Sequence, residues 1–600
     1  MSEKPYFKFF ENRKPYKPIN LGGWHHYLFI LLSAFLIGIG INYLYWRWTV
    51  SLNEHAIVFS AALAVAETLM FIGSLLMIFN YSSILEIKKR KPVRRLSDIQ
   101  ELKQGEGDRP IKIDLCIATY DEPISVLEET IRDASSVTYK YDDVEIRLWV
   151  LDDGNRQGGD ERENVIALAN KYNTLYLSRE SNEGFKAGNL NHYFWQSDAD
   201  LMVIIDADTR LFPDFLNETT GYFRDKSMAW VQTPQWFYDI HQGRRLSQIF
   251  PKLFGFLSNS AFDLNVGYNI LGTDSQYFYD SVLRHRNSSN AAFCCGAGSI
   301  HRRHALIDLI SSNALHPETC KVHLPTEKIT DQKLRDIYNQ EKHMWGPFVH
   351  HISEDIYTSI HVHSLPARYK SYQTKTPLSK MLSPQSVEGF VKQYNRYAKG
   401  TFDIIFSRHN PAWKKGLSIK QRLAYLETVF AYLSAFWIVV FLLSPILFFF
   451  TLMPPIHAFN FDFFIRFFLF MLINTAVVTL ANWGLPTKRN EQYFFASFAY
   501  KISAFFSVIF KKSLQFNVTK KTLDKSKRAK QVKHIIPHAT FIALTFAGMI
   551  YNAYLVYHNQ HPSTSGFAAN SVWALYNVFQ LSPMVRAAFI NLPIMKEPNA

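Results

Sequence analysis

The sequence contains few cysteines and lacks the common phosphate-binding loops. Only four of its 600 residues are cysteine (Cys116, Cys294, Cys295 and Cys320), and their spacing suits neither a disulfide framework nor a metal site. Such scarcity is typical of a reducing compartment. No G-x-G-x-x-G follows the first predicted strand, and no G-x-x-x-x-G-K-[ST] occurs anywhere. The sequence therefore disfavours dinucleotide binding and P-loop phosphate binding.

Apolar residues make up 48% of the chain and are concentrated in long runs. The runs cover about 27–46, 56–79, 425–453, 461–482, 539–557 and 567–590. Each is close to the roughly 20 residues that a bilayer crossing needs, so we predict six membrane spans. The first run is not expected to be a cleaved signal peptide, because its polar leader is long and a second run follows closely.

The net charge is +14, and the cations cluster beside the apolar runs, at 88–95 and 511–530. The loops after the first, third and fifth runs carry almost no lysine or arginine. By the positive-inside rule, both termini and the long polar middle lie in the cytosol of an inner (plasma) membrane protein. No nucleic-acid-binding module accompanies the basic runs, so we expect no nucleic-acid partner.

The polar middle, residues 110–365, alternates short apolar runs with amphipathic stretches. This pattern predicts an α/β domain with a mostly parallel sheet. The predicted strands are "IKIDLCIATY", "EIRLWVLDDG", "NTLYLSRE" and "DLMVIIDADT", and the predicted helices are "PISVLEETIRDASSV" and "ENVIALANKY". Ligands bind at the carboxyl edge of such a sheet, so residues that follow the strands are the candidates for a site.

Acidic residues follow three of these strands. Asp121 follows the first, Asp152 and Asp153 close the second, and Asp206 with Asp208 close the fourth. In an extended segment alternate side chains point the same way, so Asp206 and Asp208 are expected to converge on one ligand. Two carboxylates plus substrate phosphates is a typical coordination of Mg²⁺ or Mn²⁺. The alternative for this pair is a solvated strand end.

Nine short motifs occur in a fixed order between about 110 and 521. They are "TYDEP", "LDDGN", "NEGFKAGNLN", "DADT", "VQTPQWF", "FCCGAGSIHRR", "ISEDIYTS", "QYNRYAKG" and "FNVTKK". This order resembles membrane-embedded processive family 2 glycosyltransferases of the bacterial cellulose synthase and β-glucan synthase type. The resemblance implies a GT-A-like cytosolic domain inserted in an α-helical transmembrane bundle, and a processive inverting β-1,4-glucan synthase that uses UDP-glucose and translocates its product.

The resemblance also implies a division of the chain. We expect an N-terminal tail with two spans (1–80), the GT-A domain (81–365), interface helices (366–424), two spans (425–482), an interface helix with a gating loop (483–538), and two spans with a short tail (539–600).

The resemblance assigns the nucleotide contacts. Asp153 with Asp152 contacts the uridine, Tyr120 flanks the base, and Lys186 of "KAGN" touches the nucleotide. Asp206 and its D-x-D partner hold the metal on the diphosphate. The alternative for Lys186 is an ordinary surface lysine.

The motif "ISEDIYTS" resembles the family's T-E-D motif, with serine in place of threonine. It implies that Asp355, beside Glu354, is the general base for the acceptor hydroxyl. An alternative role for Asp355 is to cap the following helix. Four histidines lie nearby, at His350, His351, His361 and His363. A zinc site there is disfavoured, because a metal would bind the base and block it.

The motif "QYNRYAKG" corresponds to Q-x-x-R-W. Gln393 and Arg396 are retained, and Tyr397 stands where the family usually has tryptophan. Arg396 is expected to pair with the diphosphate, and Tyr397 to stack on the terminal sugar of the acceptor. An alternative role for Tyr397 is an aromatic at the membrane interface. Cys295 of "FCCG" is expected near the acceptor sugar.

The motif "FNVTKK" corresponds to a gating loop that closes over the nucleotide. The implied contacts are Phe516, Val518, Thr519 and Lys521. Polar and aromatic residues of the late spans are candidates for a sugar channel or for helix packing: Tyr432, Trp437, Asn552, Tyr554 and Asn577.

Two departures leave alternatives open. The segment 238–285 is longer than in the family. The chain also stops soon after the last span, and for this second reason we expect that cyclic-di-GMP does not bind it directly. The expected partners are a UDP-sugar, the growing glucan, the lipid bilayer and a periplasmic or envelope accessory subunit. A β-1,3- or mixed-linkage glucan synthase remains an alternative, followed by chitin or hyaluronan synthesis and by a non-catalytic scaffold or transporter.

Overall fold

The structure is a computed structural model. It describes residues 5–589 except for 103–106, 155–159, 241–243, 259–264, 267–268, 270, 273–274, 313–320, 457–460, 486 and 512–527. Cys320 and the predicted gating residues Phe516, Val518, Thr519 and Lys521 lie outside the described residues.

The longer helices are α1 Trp24–Thr49, α2 Ile57–Tyr81, α3 Ile124–Ser135, α4 Asp160–Lys171, α5 Phe185–Phe194, α6 Arg303–Ser311, α7 Gln332–Glu341, α8 Glu354–His363, α9 Val387–Phe406, α10 Ile419–Thr451, α11 Phe461–Ala481, α12 Thr487–Ala496, α13 Phe498–Ile509, α14 Arg528–Tyr557 and α15 Thr564–Phe589. Shorter helices cover Leu96–Ile99, Phe215–Thr219, Leu246–Ile249 and Pro251–Phe254.

The main sheet has seven strands: β1 Lys112–Thr119, β2 Glu145–Asp152, β3 Leu175–Ser178, β4 Leu201–Asp206, β5 Met228–Gln232, β6 Ser299–Arg302 and β7 Lys370–Gln373. Their order is β7-β5-β6-β4-β1-β2-β3, and β6 alone runs antiparallel to its neighbours. A small second sheet joins Thr209–Leu211, Ser379–Met381 and Gln235–Phe237, and a two-stranded ribbon joins Arg244–Arg245 to Asn265–Val266.

The sheet is the middle of three layers, as expected when both faces of a largely parallel sheet are covered. One face packs against α3 and α4 through side chains such as Ile117, Ile131 and Val165. The other face packs against α5, α6 and α8 through side chains such as Phe194 and Trp230. Burying a large apolar side chain contributes about 1.5–3 kcal/mol, so these two clusters hold the strand ends in fixed positions.

The predicted α/β elements are confirmed. All four strands and both helices expected between 110 and 210 occur in the structure. The sheet continues past residue 365, where we expected the catalytic domain to end. Strand β7 pairs in parallel with β5, and Ser379–Met381 belongs to the second sheet, so the chain that leads to α9 is part of the same folded unit.

Five helices of the described chain are long and apolar enough to cross a membrane: Trp24–Thr49, Glu54–Tyr81, Ile419–Thr451, Asp462–Ala481 and Gln531–Tyr557. They coincide with the first five predicted spans. The sixth predicted span is helix α15, which is long enough but carries polar residues such as Asn570, Asn577 and Gln580. Our count of six spans thus includes one helix that is long enough but whose composition does not support a membrane span.

Candidate active site

The acidic strand ends lie side by side at the carboxyl edge of the sheet. In the ladder, Asp152 is level with Thr119, and Asp206 is level with Ala118. The backbone N–H of Asp153 donates to the Thr119 carbonyl at 2.9 Å. The ends of β1, β2 and β4 therefore meet at one place, as the sequence predicted.

The geometry of the D-x-D pair differs from our prediction. Asp206 is the last residue of β4, and Asp208 lies in the turn that follows, so the strand alternation we invoked does not extend to Asp208. The chain turns there because Thr209–Leu211 begins the second sheet, where it pairs with Ser379–Met381. Both carboxylates lie at the end of β4, but only Asp206 belongs to the extended strand.

Lys186 lies between a D-x-D carboxylate and Glu354, the neighbour of the predicted base. Its Nζ donates a hydrogen bond to Asp206 Oδ1 and lies 4.0 Å from Glu354 Oε1. Burial opposes the charge on this lysine, but Asp206 and Glu354 outweigh that effect and raise its pKa. Lys186 is therefore a partly buried cation among carboxylates, and the alternative of a surface lysine is wrong.

The predicted base lies in the first turn of α8. This helix begins at Glu354 with Ser353 as its N-cap residue, so Asp355 is inside the helix and does not cap it. The Asp355 carboxylate accepts the N–H of Ile356 at 2.8 Å. Burial raises the pKa of Asp355, and burial with the neighbouring Asp355 raises the pKa of Glu354. Adjacent buried carboxyl groups with raised pKa values are typical of acid–base sites.

The glycine of "FCCG" keeps space open beside the lysine and the base. Gly296 has φ +78°, and a Cβ at this position would lie 3.2 Å from Lys186 Nζ and 3.8 Å from Asp355 Oδ2. A side chain there would occupy the region between the lysine and the base. The position requires glycine for its backbone conformation as well as for this space.

Two glutamines of "VQTPQWF" hold the loop that contains Cys295. Gln232 Oε1 accepts the Cys295 N–H at 2.8 Å, and Gln235 Nε2 donates to the Cys295 carbonyl at 3.0 Å. Burial and the nearby Asp355 raise the pKa of the Cys295 thiol. This cysteine is therefore a neutral thiol near the base.

Helix α9 brings the Q-x-x-R-Y motif to the same place. The Arg396 guanidinium lies 5.5 Å from the centroid of the Tyr397 ring, and Gln393 Nε2 donates to Tyr397 Oη at 3.0 Å. The hydroxyl that distinguishes tyrosine from the usual tryptophan thus has a partner one helical turn away. Tyr397 remains 42% exposed, so its ring is available to a ligand.

The predicted uridine contacts occupy the other end of the edge. Asp152 accepts the Gly154 N–H at 2.9 Å and the Tyr176 hydroxyl at 3.0 Å. Asp153 receives two hydrogen bonds from Arg179, at 2.5 and 2.6 Å. Burial raises the pKa of Asp153 even though Arg179 opposes the shift. We did not anticipate Arg179, and its only sequence signal is a cation near the end of the predicted strand "NTLYLSRE".

Tyr120 lies directly after β1. Its N–H donates to Glu122 Oε2 at 2.8 Å, and Asn182 Nδ2 lies 3.4 Å from its hydroxyl. It is partly exposed and follows the strand next to the one that ends before Asp153.

Two of the four histidines near the base, His351 and His363, have hydrogen-bond partners elsewhere. His351 Nε2 lies 2.8 Å from Asp403 Oδ2, while the Ser353 N–H donates to His351 Nδ1 at 3.0 Å. Because Nδ1 accepts, Nε2 carries the proton and donates to Asp403. His363 is hydrogen-bonded to the Tyr425 hydroxyl and to Ser371.

Within the described residues, no cluster of three or more His, Cys, Asp or Glu side chains is arranged to hold a metal. The D-x-D carboxylates therefore do not belong to an all-protein metal cage. They fit the other common mode, in which one or two carboxylates bind Mg²⁺ or Mn²⁺ and substrate phosphates complete the coordination.

Gly400 of α9 packs against Ser353, the residue before α8. A Cβ at position 400 would overlap Ser353 Oγ and lie 2.8 Å from Ser353 Cβ. Because Ser353 precedes the Glu354–Asp355 pair, a larger residue at position 400 is expected to displace that pair. Sequence reasoning missed Gly400 and the His351–Asp403 pair, because both act across 47 or more residues of chain.

We expect Gly400→Ala to lower the transfer rate by up to about 10²-fold, since displacing a catalytic group by an ångström has an effect of that order. Initial rates of UDP release on the purified protein provide the measurement. The double variant Gly400→Ala/Ser353→Gly removes the obstructing side chain and should recover most of the rate. Gly38→Ala is the matched helical control, because its Cβ meets no atom within 4 Å. Normal rates in Gly400→Ala would contradict this role.

The described chain combines an α/β sheet with an acidic edge, a helix that begins with two adjacent carboxyl groups, and helices on either side in the sequence that are long and apolar enough to cross a membrane. The model for glycosyl transferase family 2 matches residues 114–310, and the cellulose synthase model matches residues 332–590. The chain thus carries a glycosyl transferase family 2 domain, followed by a cellulose synthase domain.

Curated relatives agree with this assignment. The chain is 24% identical over 575 residues to the UDP-forming cellulose synthase catalytic subunit of Pseudomonas fluorescens strain SBW25, and 24% identical over 571 residues to the corresponding subunit 1 of Komagataeibacter xylinus. Each alignment covers 93% of this chain and 66% of the relative. The chain thus spans slightly less than two thirds of the length of these relatives.

Among solved structures, the chain is similar to a mannosyltransferase from Pyrobaculum calidifontis in complex with GDP-Man and Mn²⁺. The TM-score is 0.42 at 14% identity, with 76% of this chain and 100% of the other covered.

Proposed function

We propose that this chain is a processive inverting β-glucan synthase that transfers glucose from UDP-glucose to the nonreducing end of a growing cellulose-type β-1,4-glucan. The observation that carries the proposal is the position of Lys186, which is hydrogen-bonded to Asp206 of the D-x-D pair and lies 4.0 Å from Glu354. This lysine places one positive charge between a carboxylate of the predicted diphosphate site and the carboxylate next to the predicted base. The UDP-forming relatives support the choice of donor.

In the proposed reaction, an acceptor hydroxyl oxygen attacks the anomeric carbon of the donor sugar. The bond between that carbon and the diphosphate oxygen breaks, UDP leaves with the electron pair, and Asp355 receives the hydroxyl proton. Attack from the face opposite to UDP inverts the configuration. Burial raises the pKa of Asp355. A carboxylate with a raised pKa is a stronger base, which suits Asp355 to this role.

The other site residues bind and orient the substrates in this proposal. Asp152, Asp153 and Tyr120 contact the uridine. When the nucleotide binds, Asp153 replaces part of its hydrogen bonding with Arg179 by contacts to the nucleotide. Asp206 and Asp208 hold Mg²⁺ or Mn²⁺, which neutralises the diphosphate as its charge develops.

We place the acceptor between Tyr397 and Cys295. Tyr397 stacks on the terminal sugar, while Arg396 pairs with the diphosphate. The loop at Gly296 keeps the space next to Lys186 and Asp355 open for the reacting hydroxyl. Gln393 fixes the Tyr397 ring through its hydroxyl, which compensates for the smaller ring.

We further propose that the apolar helices lie in the inner membrane, with the catalytic domain and both termini in the cytosol. The glucan then passes between the helices as it grows, with an envelope accessory subunit as a partner on the far side. The basic segment 88–95 at the end of α2 supports this orientation, since cations favour the cytosolic face.

Digestion of the product tests the linkage. We expect purified protein supplied with labelled UDP-glucose to form a polymer that a β-1,4-specific endoglucanase degrades and a β-1,3-specific glucanase does not. UDP-N-acetylglucosamine and UDP-glucuronate serve as control donors. A product degraded only by the β-1,3-specific enzyme would favour the alternative linkage, and absence of UDP release from every donor would favour a non-catalytic scaffold.

A further inference from the structure

Residues 6–13, the N-terminal segment, lie against the catalytic domain. Two rings of this segment, Phe7 and Phe10, are only 3% and 8% exposed. They belong to one buried cluster with Tyr238 and Leu382, each of which directly follows a strand of the second sheet. Because both rings are removed from water there, the N-terminal segment is held on the second sheet.

Glu11 of the N-terminal segment joins two strands of the second sheet. Its carboxylate accepts from Arg210 of Thr209–Leu211 and from Lys380 Nζ of Ser379–Met381, the latter at 2.7 Å. Arg210 and Lys380 face each other in the register of these antiparallel strands, and their side chains are only 5% and 11% exposed. Like charges directly opposite one another destabilise a strand pair, and water screens buried charges little. The carboxylate that accepts from both cations therefore stabilises the pairing.

The first of these two strands begins directly after Asp208 of the D-x-D pair. Arg210 is two residues beyond Asp208, and it also donates to Asp133 Oδ2 of α3 at 2.7 Å. The N-terminal segment approaches the same turn through Tyr6. Burial and Asp239 raise the pKa of the Tyr6 hydroxyl, and the Asp208 carboxylate adds to this rise. The segment is therefore close enough to Asp208 for the two to interact electrostatically.

Asp239 gives the N-terminal segment a second connection to the sheet. Its Oδ2 accepts from the Tyr6 hydroxyl at 3.0 Å and from Gln385 Nε2 at 2.7 Å, while its Oδ1 accepts from the Ser383 N–H at 2.8 Å. Ser383 and Gln385 lie between the second sheet and α9, the helix that carries the Q-x-x-R-Y motif. The same segment thus stabilises the chain on either side of the second sheet.

We propose that Glu11 is a positioning residue for the donor site. By neutralising the two facing cations it keeps the strand after Asp208 in place, and so holds the Asp208 carboxylate in position for the metal on the diphosphate. The inference rests on the proposed function, in which the D-x-D pair binds Mg²⁺ or Mn²⁺ together with the substrate phosphates. Glu11 touches neither substrate nor metal and acts through Arg210, which lies 199 positions further along the chain.

The increase in UDP affinity that Mn²⁺ produces in the full chain tests the inference. Glu11→Gln keeps the size of the side chain and removes its charge, so we expect this increase to be about tenfold smaller, while UDP affinity in the presence of a chelator stays the same. Glu11→Gln/Lys380→Met also removes one of the two facing cations and should recover most of the Mn²⁺ effect. The matched control is Glu86→Gln, because Glu86 also pairs with a buried arginine, Arg284, which keeps Asp280 as a partner. This control should respond to Mn²⁺ like the unmodified protein.

Calorimetry of UDP binding gives the affinities, and thermal unfolding without ligand shows which variants are folded. A purely structural role would lower the unfolding temperature of Glu11→Gln and leave its Mn²⁺ effect unchanged, and that result would overturn the inference. A double variant that responds to Mn²⁺ no better than the single variant would overturn it too. Tyr6→Phe keeps the ring and loses the bond to Asp239, so we expect a milder loss of about threefold. This variant decides the test if Glu11→Gln does not fold.

UDP release from UDP-glucose by the unmodified protein reports separately on the proposed function. If the unmodified protein releases UDP and gains UDP affinity from Mn²⁺, and the folded Glu11→Gln variant gains just as much, the inference alone fails. If Mn²⁺ does not change the UDP affinity of the unmodified protein, the metal role in the proposed function fails together with the inference.

Discussion

Asp355→Asn is expected to lower the rate of glycosyl transfer by about 10²- to 10⁴-fold while UDP affinity changes little. Asparagine keeps the shape of the side chain and can still accept the Ile356 N–H, but it cannot take a proton. The nucleotide contacts at Asp153 and the D-x-D pair are separate from this residue, so binding should survive. UDP binding by calorimetry and glucose transfer, measured on one preparation, separate the two effects.

The structure sharpens this test. Ser353, not Asp355, is the N-cap residue of α8, so a loss of transfer in Asp355→Asn does not reflect loss of a cap. Near-normal transfer in the variant would rule out Asp355 as the base. A loss of UDP binding in parallel with transfer would instead indicate collapse of the site around Lys186.

The pH dependence provides an independent readout. A general base works only when ionised, and burial raises the pKa of Asp355, so transfer should fall on acidification at a pH above the pKa of about 3.9 of a free aspartate. Because the activity requires the deprotonated form, the rate should rise with pH through this pKa. A rate at saturating donor that stays constant down to pH 4 would contradict the assignment.

Asp206→Asn and Asp208→Asn are each expected to reduce transfer by about 10³-fold or more, because metal stabilisation of the leaving diphosphate is worth several kcal/mol. An amide lacks the negative charge that Mg²⁺ or Mn²⁺ needs. Chelation of divalent metal should abolish transfer by the unmodified protein, and added Mg²⁺ or Mn²⁺ should restore its transfer rate. Initial rates of UDP release across a metal titration provide the measurement.

The two variants together separate metal binding from the contact with Lys186. Asp206→Asn also weakens the bond from Lys186, whereas Asp208→Asn leaves both partners of that bond in place. Asp143→Asn is the control, because Asp143 lies before β2, away from the site, in an exposed pair with Arg94 at 2.9 Å. Full activity of either D-x-D variant after chelation would refute the metal hypothesis.

Much of the fold was predictable from local patterns. The alternation of apolar runs with amphipathic stretches specified β1 to β4, α3 and α4, because burial on a sheet or helix repeats with a fixed period along the chain. The same logic located the first five spans. It was less reliable for α15, where apolar and polar residues mix, and it placed Asp208 in a strand that ends at Asp206.

Parts of the site were predictable for a different reason. Acidic residues at strand ends indicated the sheet edge, since parallel strands bring their carboxyl ends together. The resemblance of nine ordered motifs supplied candidate roles. Neither source revealed Arg179 on Asp153 or His351 on Asp403, because those pairings depend on which loops the packed layers bring into contact.

The sequence by itself determined the class of domain, the acidic sheet edge and the apolar helices, because residues that are neighbours along the chain specify each of these features. Only the tertiary structure decided that Lys186 lies between Asp206 and Glu354, that Gly400 packs against Ser353, and that Glu427 accepts from both Asn80 and Arg286. These contacts join residues up to 347 positions apart, as in the bond from Asn80 to Glu427. Such contacts arise from the packing of layers, and no local periodicity encodes them.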